Sequence, residues 1–300
     1  MTLYTVAEPE FLRLVLPNAE MEVLGDGFRW LEGPVWFADT ETLLFSDIPN
    51  NRVMRWCEGG ISVFSVRSDF ANGHARDLQG RLISCLHGTG SITRRELNGS
   101  VTVLADSYEG KRLNSPNDVV VKSDGSIWFT DPPYGINTDY EGGKRVAELP
   151  ANVYRLEPVS GKLDVVVGDL SGPNGLCFSP DERLIYISES GLQFEPYPVQ
   201  HIKAFELKGD DKSVQSGKVF HKVEPGFSDG LKADESGNIW SSAGDGVHCI
   251  SPQGKLLGKI LVGATVSNLT FGGRNHSRLF ICAGTKLLAI YTNTRGVVWP

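Results

Sequence analysis

No apolar run in this 300-residue chain approaches the roughly 18 residues of a membrane-spanning helix, so no spanning helix is expected and no membrane partner. There is no block of Lys or Arg either. With 29 basic against 36 acidic residues the net charge is −7, and the basic footprint that a phosphate backbone requires is missing, which argues against nucleic acid. The N-terminal MTLYTVAEPEFLRLVLPNAE carries acids early and no basic stretch ahead of a long apolar one. No signal peptide is expected, and the expected location is the cytoplasm, with a periplasmic home for a trimmed chain left open. No C-x-x-C occurs: five cysteines stand apart at 57, 85, 177, 249 and 282. That excludes a zinc clip and a thioredoxin-type pair; four of the five sit in apolar runs and read as small buried hydrophobes. The nucleophile elbow G-x-S-x-G, the phosphate-cradling G-x-x-x-x-G-K-[ST] and the dinucleotide fingerprint are also absent. Helical periodicity is not sustained anywhere, and residues 8–16 (EPEFLRLVL) form the one short helix candidate.

What the chain does have is punctuation. Its 34 glycines and 16 prolines point to many turns. Length alone would suggest two domains, but a repeat argues otherwise. Six segments share one pattern: LEGPVWFADTETLLFSD (31–47), ANGHARDLQGRLISCLH (71–87), PNDVVVKSDGSIWFTD (116–131), PNGLCFSPDERLIYISE (173–189), SDGLKADESGNIWSSAG (228–244) and SNLTFGGRNHSRLFICAG (267–284). Each opens on an acid or amide, runs through a short apolar stretch and a turn, and enters a second apolar stretch 10 or 11 residues after the anchor. The anchors Glu32, Asn72, Asn117, Asn174, Asp229 and Asn268 lie 40, 45, 57, 55 and 39 residues apart. A fixed inner offset with a variable outer interval is what a repeated hairpin with loop insertions produces. Further strand candidates such as NVYRLEP and GKLDVVVGD bring each unit to four strands. The expectation is an all-β fold, a six-bladed β-propeller of four-stranded antiparallel blades. A single domain over 1–300 follows, with 1–28 as an N-terminal extension. Its run MEVLGDG (21–27) is expected to supply the missing fourth strand of the last blade and so close the ring.

In a propeller the first strand of every blade lines the central channel, so the six anchors should form a ring at one mouth. Each carries a side-chain oxygen. An all-oxygen, partly anionic cage suits a hard cation, Ca²⁺ first and Mg²⁺ second, and two carboxylates match a divalent charge. The second strands end at the same mouth, which brings His87 and Asp131 to it. Two long loops leave those ends, 132–151 and 190–201, and are expected to act as a substrate lid, with Tyr134, Phe194 and Tyr197 either touching substrate or packing within the loops.

The motifs LEGPVWF, FANGHARDLQGRLISCLHG, NSPNDVVVKSDGSIWFTDPPYG, PNGLCFSPDERLIYIS and FSDGLKADESGNIW resemble those of the senescence marker protein, gluconolactonase and luciferin-regenerating enzyme family, over about residues 28–285. The chain looks most like the bacterial gluconolactonases. The resemblance implies a six-bladed propeller with a divalent metal at one mouth and hydrolysis of a sugar lactone, an aldonolactone such as glucono-1,5-lactone, as the activity. It implies metal ligands at Glu32, Asn174 and Asp229, with Asn117 binding the metal directly or through substrate or water. Asp229 matches the general base proposed in the family; His87 is the alternative base. Asn72, Asn114, Ser115, Asn117 and Tyr134 are the expected substrate contacts. Animal members carry an Arg where this chain has Ser115, so their sugar contacts do not transfer. Asn72 stands where the distantly similar paraoxonases have a second His, which argues against a His dyad. Zn²⁺, Mn²⁺ and Fe²⁺ remain open alongside calcium, as do a monomer or a homodimer, a non-catalytic calcium- or sugar-binding propeller, and an esterase or phosphotriesterase on the same metal.

Overall fold

The computed structural model describes residues 3–191 and 200–298. Each repeat folds as an antiparallel meander because apolar stretches are separated by residues that reverse the chain. In the third repeat Val119–Val121 pairs with Ile127–Asp131. The reversal between them is set by Asp124, whose carboxylate accepts the Ser126 N–H at 2.8 Å, and by Gly125 at φ +86°. Asn152–Leu156 and Leu163–Val167 complete that blade outwards.

Six such blades follow one another round the ring. The first runs outward through Leu31–Phe37, Thr42–Asp47, Arg52–Cys57 and Gly60–Val66. The innermost strands of the others are Ala71–Arg76, Val119–Val121, Pro173–Phe178, Leu231–Ala233 and Asn268–Gly272. The hydrophobic core is a set of wedges between neighbouring blades. Trp128 and Val153 of the third blade pack with Leu176, Phe178 and Ile185 of the fourth, and Trp36 and Trp56 of the first with Phe280 and Leu287 of the sixth. Each fully buried side chain of this size contributes about 2–3 kcal/mol by its removal from water.

The sixth blade takes its outer strand from the N-terminal segment. Glu22–Gly25 lies antiparallel to Lys286–Tyr291, with Val23 opposite Leu288, and supplies the outer strand of the sixth blade. A second closure is a surprise: Tyr4–Val6 adds a fifth strand outside Leu256–Leu261 of the fifth blade. Three residues are too few to show alternation in a sequence. The helix candidate at 8–16 shrinks to a single 3₁₀ turn, Pro9–Arg13. It serves to deliver Phe11, fully buried, onto Gly258, where a β-carbon would lie 2.3 Å from the ring. Among the described residues no helix is long and apolar enough to cross a membrane.

Candidate functional site

The anchors do meet at one mouth, and the reason is legible in the residue that follows each. In four of the six repeats that residue is glycine: Gly33, Gly73, Gly175 and Gly230. A β-carbon on Gly33 would lie 1.9 Å from the Asn72 carbonyl oxygen, and one on Gly175 2.2 Å from that of Asp229. The absence of a side chain lets neighbouring inner strands touch. Gly73 N–H donates to the Asn117 carbonyl at 2.8 Å and Gly175 N–H to that of Asp229 at 3.1 Å. In the first, second and fourth blades the ladder slips by one residue just beyond the anchor, a bulge that turns the anchor side chain towards the channel.

These anchors wall a cavity of about 350 Å³. Glu32, Asn72, Asn117, Asn174 and Asp229 line it, with Tyr134 and Glu141 reaching in from the 132–151 loop. Its size suits a small polar ligand. Asn268 is the exception among the anchors. Its Nδ2 donates to Glu32 Oε2 at 2.9 Å while its Oδ1 accepts its neighbour Leu269 N–H, so it holds Glu32 in place and offers no oxygen of its own. Gly33 N–H donates to the same Glu32 oxygen at 2.8 Å.

The electrostatics are those of buried acids short of a counter-charge. Burial pushes Glu32 up to about 8, and repulsion from Asp118 and Glu141 adds to it against the pull of Asn268 and Gly33. Burial also lifts Asp229 well above the carboxylate range, helped by repulsion from Glu32, Asp118 and Glu141 and opposed by a hydrogen bond from Asn174. Asn72 Oδ1, Asn174 Oδ1 and Asp118 Oδ2 are buried with no partner. Unsatisfied buried acceptors beside two carboxylates are the complement of a hard cation, which would reverse the upward shifts. Among the described residues no three His, Cys, Asp or Glu side chains are arranged to hold a metal ion. A cation here would depend on amide oxygens next to the two acids, a donor set that favours Ca²⁺ or Mg²⁺ over Zn²⁺.

Three expected participants stand elsewhere. His87 is fully buried behind Asn72, outside the cavity wall. Its Nδ1 faces the Glu141 carbonyl at 3.0 Å and must donate to it, which leaves Nε2 to accept from Asn72 Nδ2 at 3.2 Å. Burial holds the imidazole down at about 4, so it is neutral near pH 7 with both nitrogens engaged. Asn114 and Ser115 do not line the cavity either. Asn114 Nδ2 donates to the Leu149 carbonyl at 3.0 Å, and Ser115 Oγ to the Pro132 carbonyl at 2.6 Å while accepting Gly135 N–H at 3.0 Å. Both therefore pin the two ends of the 132–151 loop. Asp131 accepts the Asn114 N–H at 2.8 Å, as Asp47 does for Arg29 and Glu189 for Gly172, so the acids ending the second strands tie down the segment entering their own blade. Tyr134 lines the cavity, its hydroxyl donating to the Gly172 carbonyl at 3.0 Å. Phe194 and Tyr197 lie outside the described residues.

Sequence reasoning did not find Glu141. It sits in a polar loop with no motif around it, and only the fold of that loop over His87 carries it to the cavity. A β-carbon on Gly135 would lie 2.3 Å from the His87 ring, and one on Gly142 2.2 Å from the Gly135 carbonyl; these two glycines are the one available signal.

A six-bladed propeller with carboxylates and amide oxygens gathered at one mouth is the class that fold and site define. The chain belongs to the SMP-30/gluconolactonase/LRE-like family, whose pattern matches residues 30–285. It is 33% identical to the gluconolactonase of Zymomonas mobilis, an alignment covering 93% of this chain and 83% of that one. Among solved structures, a Xanthomonas campestris gluconolactonase is 37% identical with a TM-score of 0.89, covering 96% of this chain and 94% of its own. An X-ray structure provisionally described as a gluconolactonase is 41% identical with a TM-score of 0.91, covering 99% and 100%.

Proposed function

We propose that this protein is a lactone hydrolase that opens a sugar lactone, an aldonolactone such as glucono-1,5-lactone, to the aldonic acid. The observation that carries the reading is the acceptor-lined cavity of Glu32, Asn72, Asn117, Asn174 and Asp229 in a chain related over most of its length to a gluconolactonase. Glu32, Asn117, Asn174 and Asp229 are the residues that would hold a divalent cation, with Ca²⁺ first; when bound, such an ion polarises a carbonyl as a Lewis acid.

The chain's own groups do the rest. Asp229 takes a proton from the attacking water as the new bond to the carbonyl carbon forms. The bond from that carbon to the ring oxygen then breaks, the ring oxygen takes the proton that Asp229 had accepted, and the product leaves as the open acid. Asn72 presents Oδ1 to a substrate hydroxyl, fixed in that orientation by His87 behind it. Glu141, which burial pushes up to about 7, can accept a hydrogen bond from a second hydroxyl or help the proton leave. Tyr134 closes the lid side of the cavity.

The test is acid release from glucono-1,5-lactone above its spontaneous rate, with and without EDTA. Turnover that EDTA removes and added Ca²⁺ restores supports both the activity and the cation. Turnover indifferent to EDTA would overturn the cation, and none above background on a panel of aldonolactones would overturn the activity. Faster hydrolysis of simple esters or phosphotriesters would move the reading to those substrates.

A further inference from the structure

The inner strands have a second end. From Glu32 to Trp36, or from Asp229 to Lys232, each runs from the acceptor ring towards the opposite mouth of the channel, about 10–13 Å away at 3.3 Å per residue. A second cavity of about 120 Å³ opens there, lined by residues from all six blades and by Val297 and Val298. Its chemistry is the inverse of the first. The polar lining includes Trp36, Arg76, Lys232, Thr270 and His276, and no Asp or Glu contributes to it, although the chain carries a net charge of −7.

Several of these donors lack an acceptor. Arg76 Nε and Trp36 Nε1 are buried without a partner, and Trp36 is only 8% exposed. The Lys232 side chain enters no hydrogen bond or ion pair among the described residues, although its backbone pairs with Trp240 in the blade. Arg76 has one carboxylate, the largely exposed Asp39 at 3.3 Å through its Nη2, which leaves Nε unused. Lys232 is half-buried as a residue, and the Arg76 guanidinium, stacked on the Phe37 ring at 4.8 Å, keeps its buried Nε without an acceptor, which costs free energy that an anion in the pocket would recover.

We propose that this mouth is a binding site for a small oxyanion, with Lys232 and Arg76 supplying the charge and His276 and Thr270 the neutral donors. The site is separate from the lactone cavity and does not depend on the hydrolytic reading. At about 120 Å³ it is about a third the size of the acceptor-lined cavity, and it admits a small anion of phosphate or acetate size. Ammonium and guanidinium donors accept phosphate and carboxylate alike, and the more highly charged phosphate gains more from two cations.

The test is calorimetric titration of inorganic phosphate, and separately of acetate, into the full chain at constant ionic strength set with chloride. Saturable phosphate binding that weakens tenfold or more in Lys232→Met is expected. Arg76→Gln, on a different blade, is the independent second variant and should weaken it likewise. Thermal melts of both variants in chloride report that each is folded. Binding of acetate as tight as that of phosphate would assign the site to carboxylates within the same oxyanion class. No saturable binding of either anion, or affinity unchanged in both folded variants, overturns the proposal.

Discussion

His87 shows how much a single ring nitrogen decides. Its place at the end of a second strand made it a candidate base, but Nε2 is spent on Asn72 and Nδ1 on the Glu141 carbonyl. It acts as a post under the 132–151 loop. His87→Ala is therefore expected to raise KM and lower kcat/KM about tenfold while the pH profile of kcat keeps its acidic limb; loss of that limb would restore the imidazole as base. Asp229→Asn, by contrast, should cost about 10²–10⁴ in kcat at little change in thermal stability, and a variant with normal turnover would remove Asp229 from the proton transfer. His74 gives a prediction about stability. It bridges Ser46 and Ser84 through both nitrogens, and burial holds it down at about 4 from an ordinary 6.5. Between those values the unfolded chain binds a proton that the folded chain refuses, so stability falls as pH drops from about 6.5 to about 4. Relative to wild type, His74→Gln should show a shallower fall in denaturation midpoint over that window; parallel curves would mean that His74 is not buried neutral.

Strands and loops are where patterning was most and least informative. The paired apolar stretches with Asp-Gly or Ser-Gly turns located the inner hairpins, because alternation and turn chemistry are both local. Glycine follows four of the anchors, but its purpose does not show along the chain: it serves a neighbouring blade about 38–54 residues away. Gly175→Ala tests this. Its β-carbon would press on the Asp229 carbonyl oxygen at 2.2 Å, so a loss of about 1–3 kcal/mol and a Tm several degrees lower are expected, with kcat falling as Asp229 shifts. An unchanged melt would show that the strands part without cost. The 132–151 segment was legible as a long loop, yet Asn114 and Ser115 were read as substrate contacts. A polar residue near a site motif looks the same whether it faces ligand or backbone, and only the carbonyls of Pro132 and Leu149 settle which.

Closure belongs to the molecule as a whole. The outer strand of the last blade comes from Glu22–Gly25, so both ends of the chain meet in one sheet. Removing residues 1–28 takes that strand, the added edge at Tyr4–Val6 and the buried Phe11 together. A drop in Tm of at least about 10 °C is expected by calorimetry, since several kcal/mol of packing go with them. Repeat and blade count were determined by the sequence alone, because each rests on a period read along the chain, and its motifs also named Glu32, Asn117, Asn174 and Asp229, which line one cavity. Tertiary structure alone decided what faces the cavity: Asn268 turned to serve Glu32, His87 retired behind Asn72, Glu141 brought in by its loop, and a donor-lined mouth at the far end of the same strands. Those outcomes depend on contacts between blades, where side-chain direction is set by neighbours that no local pattern records.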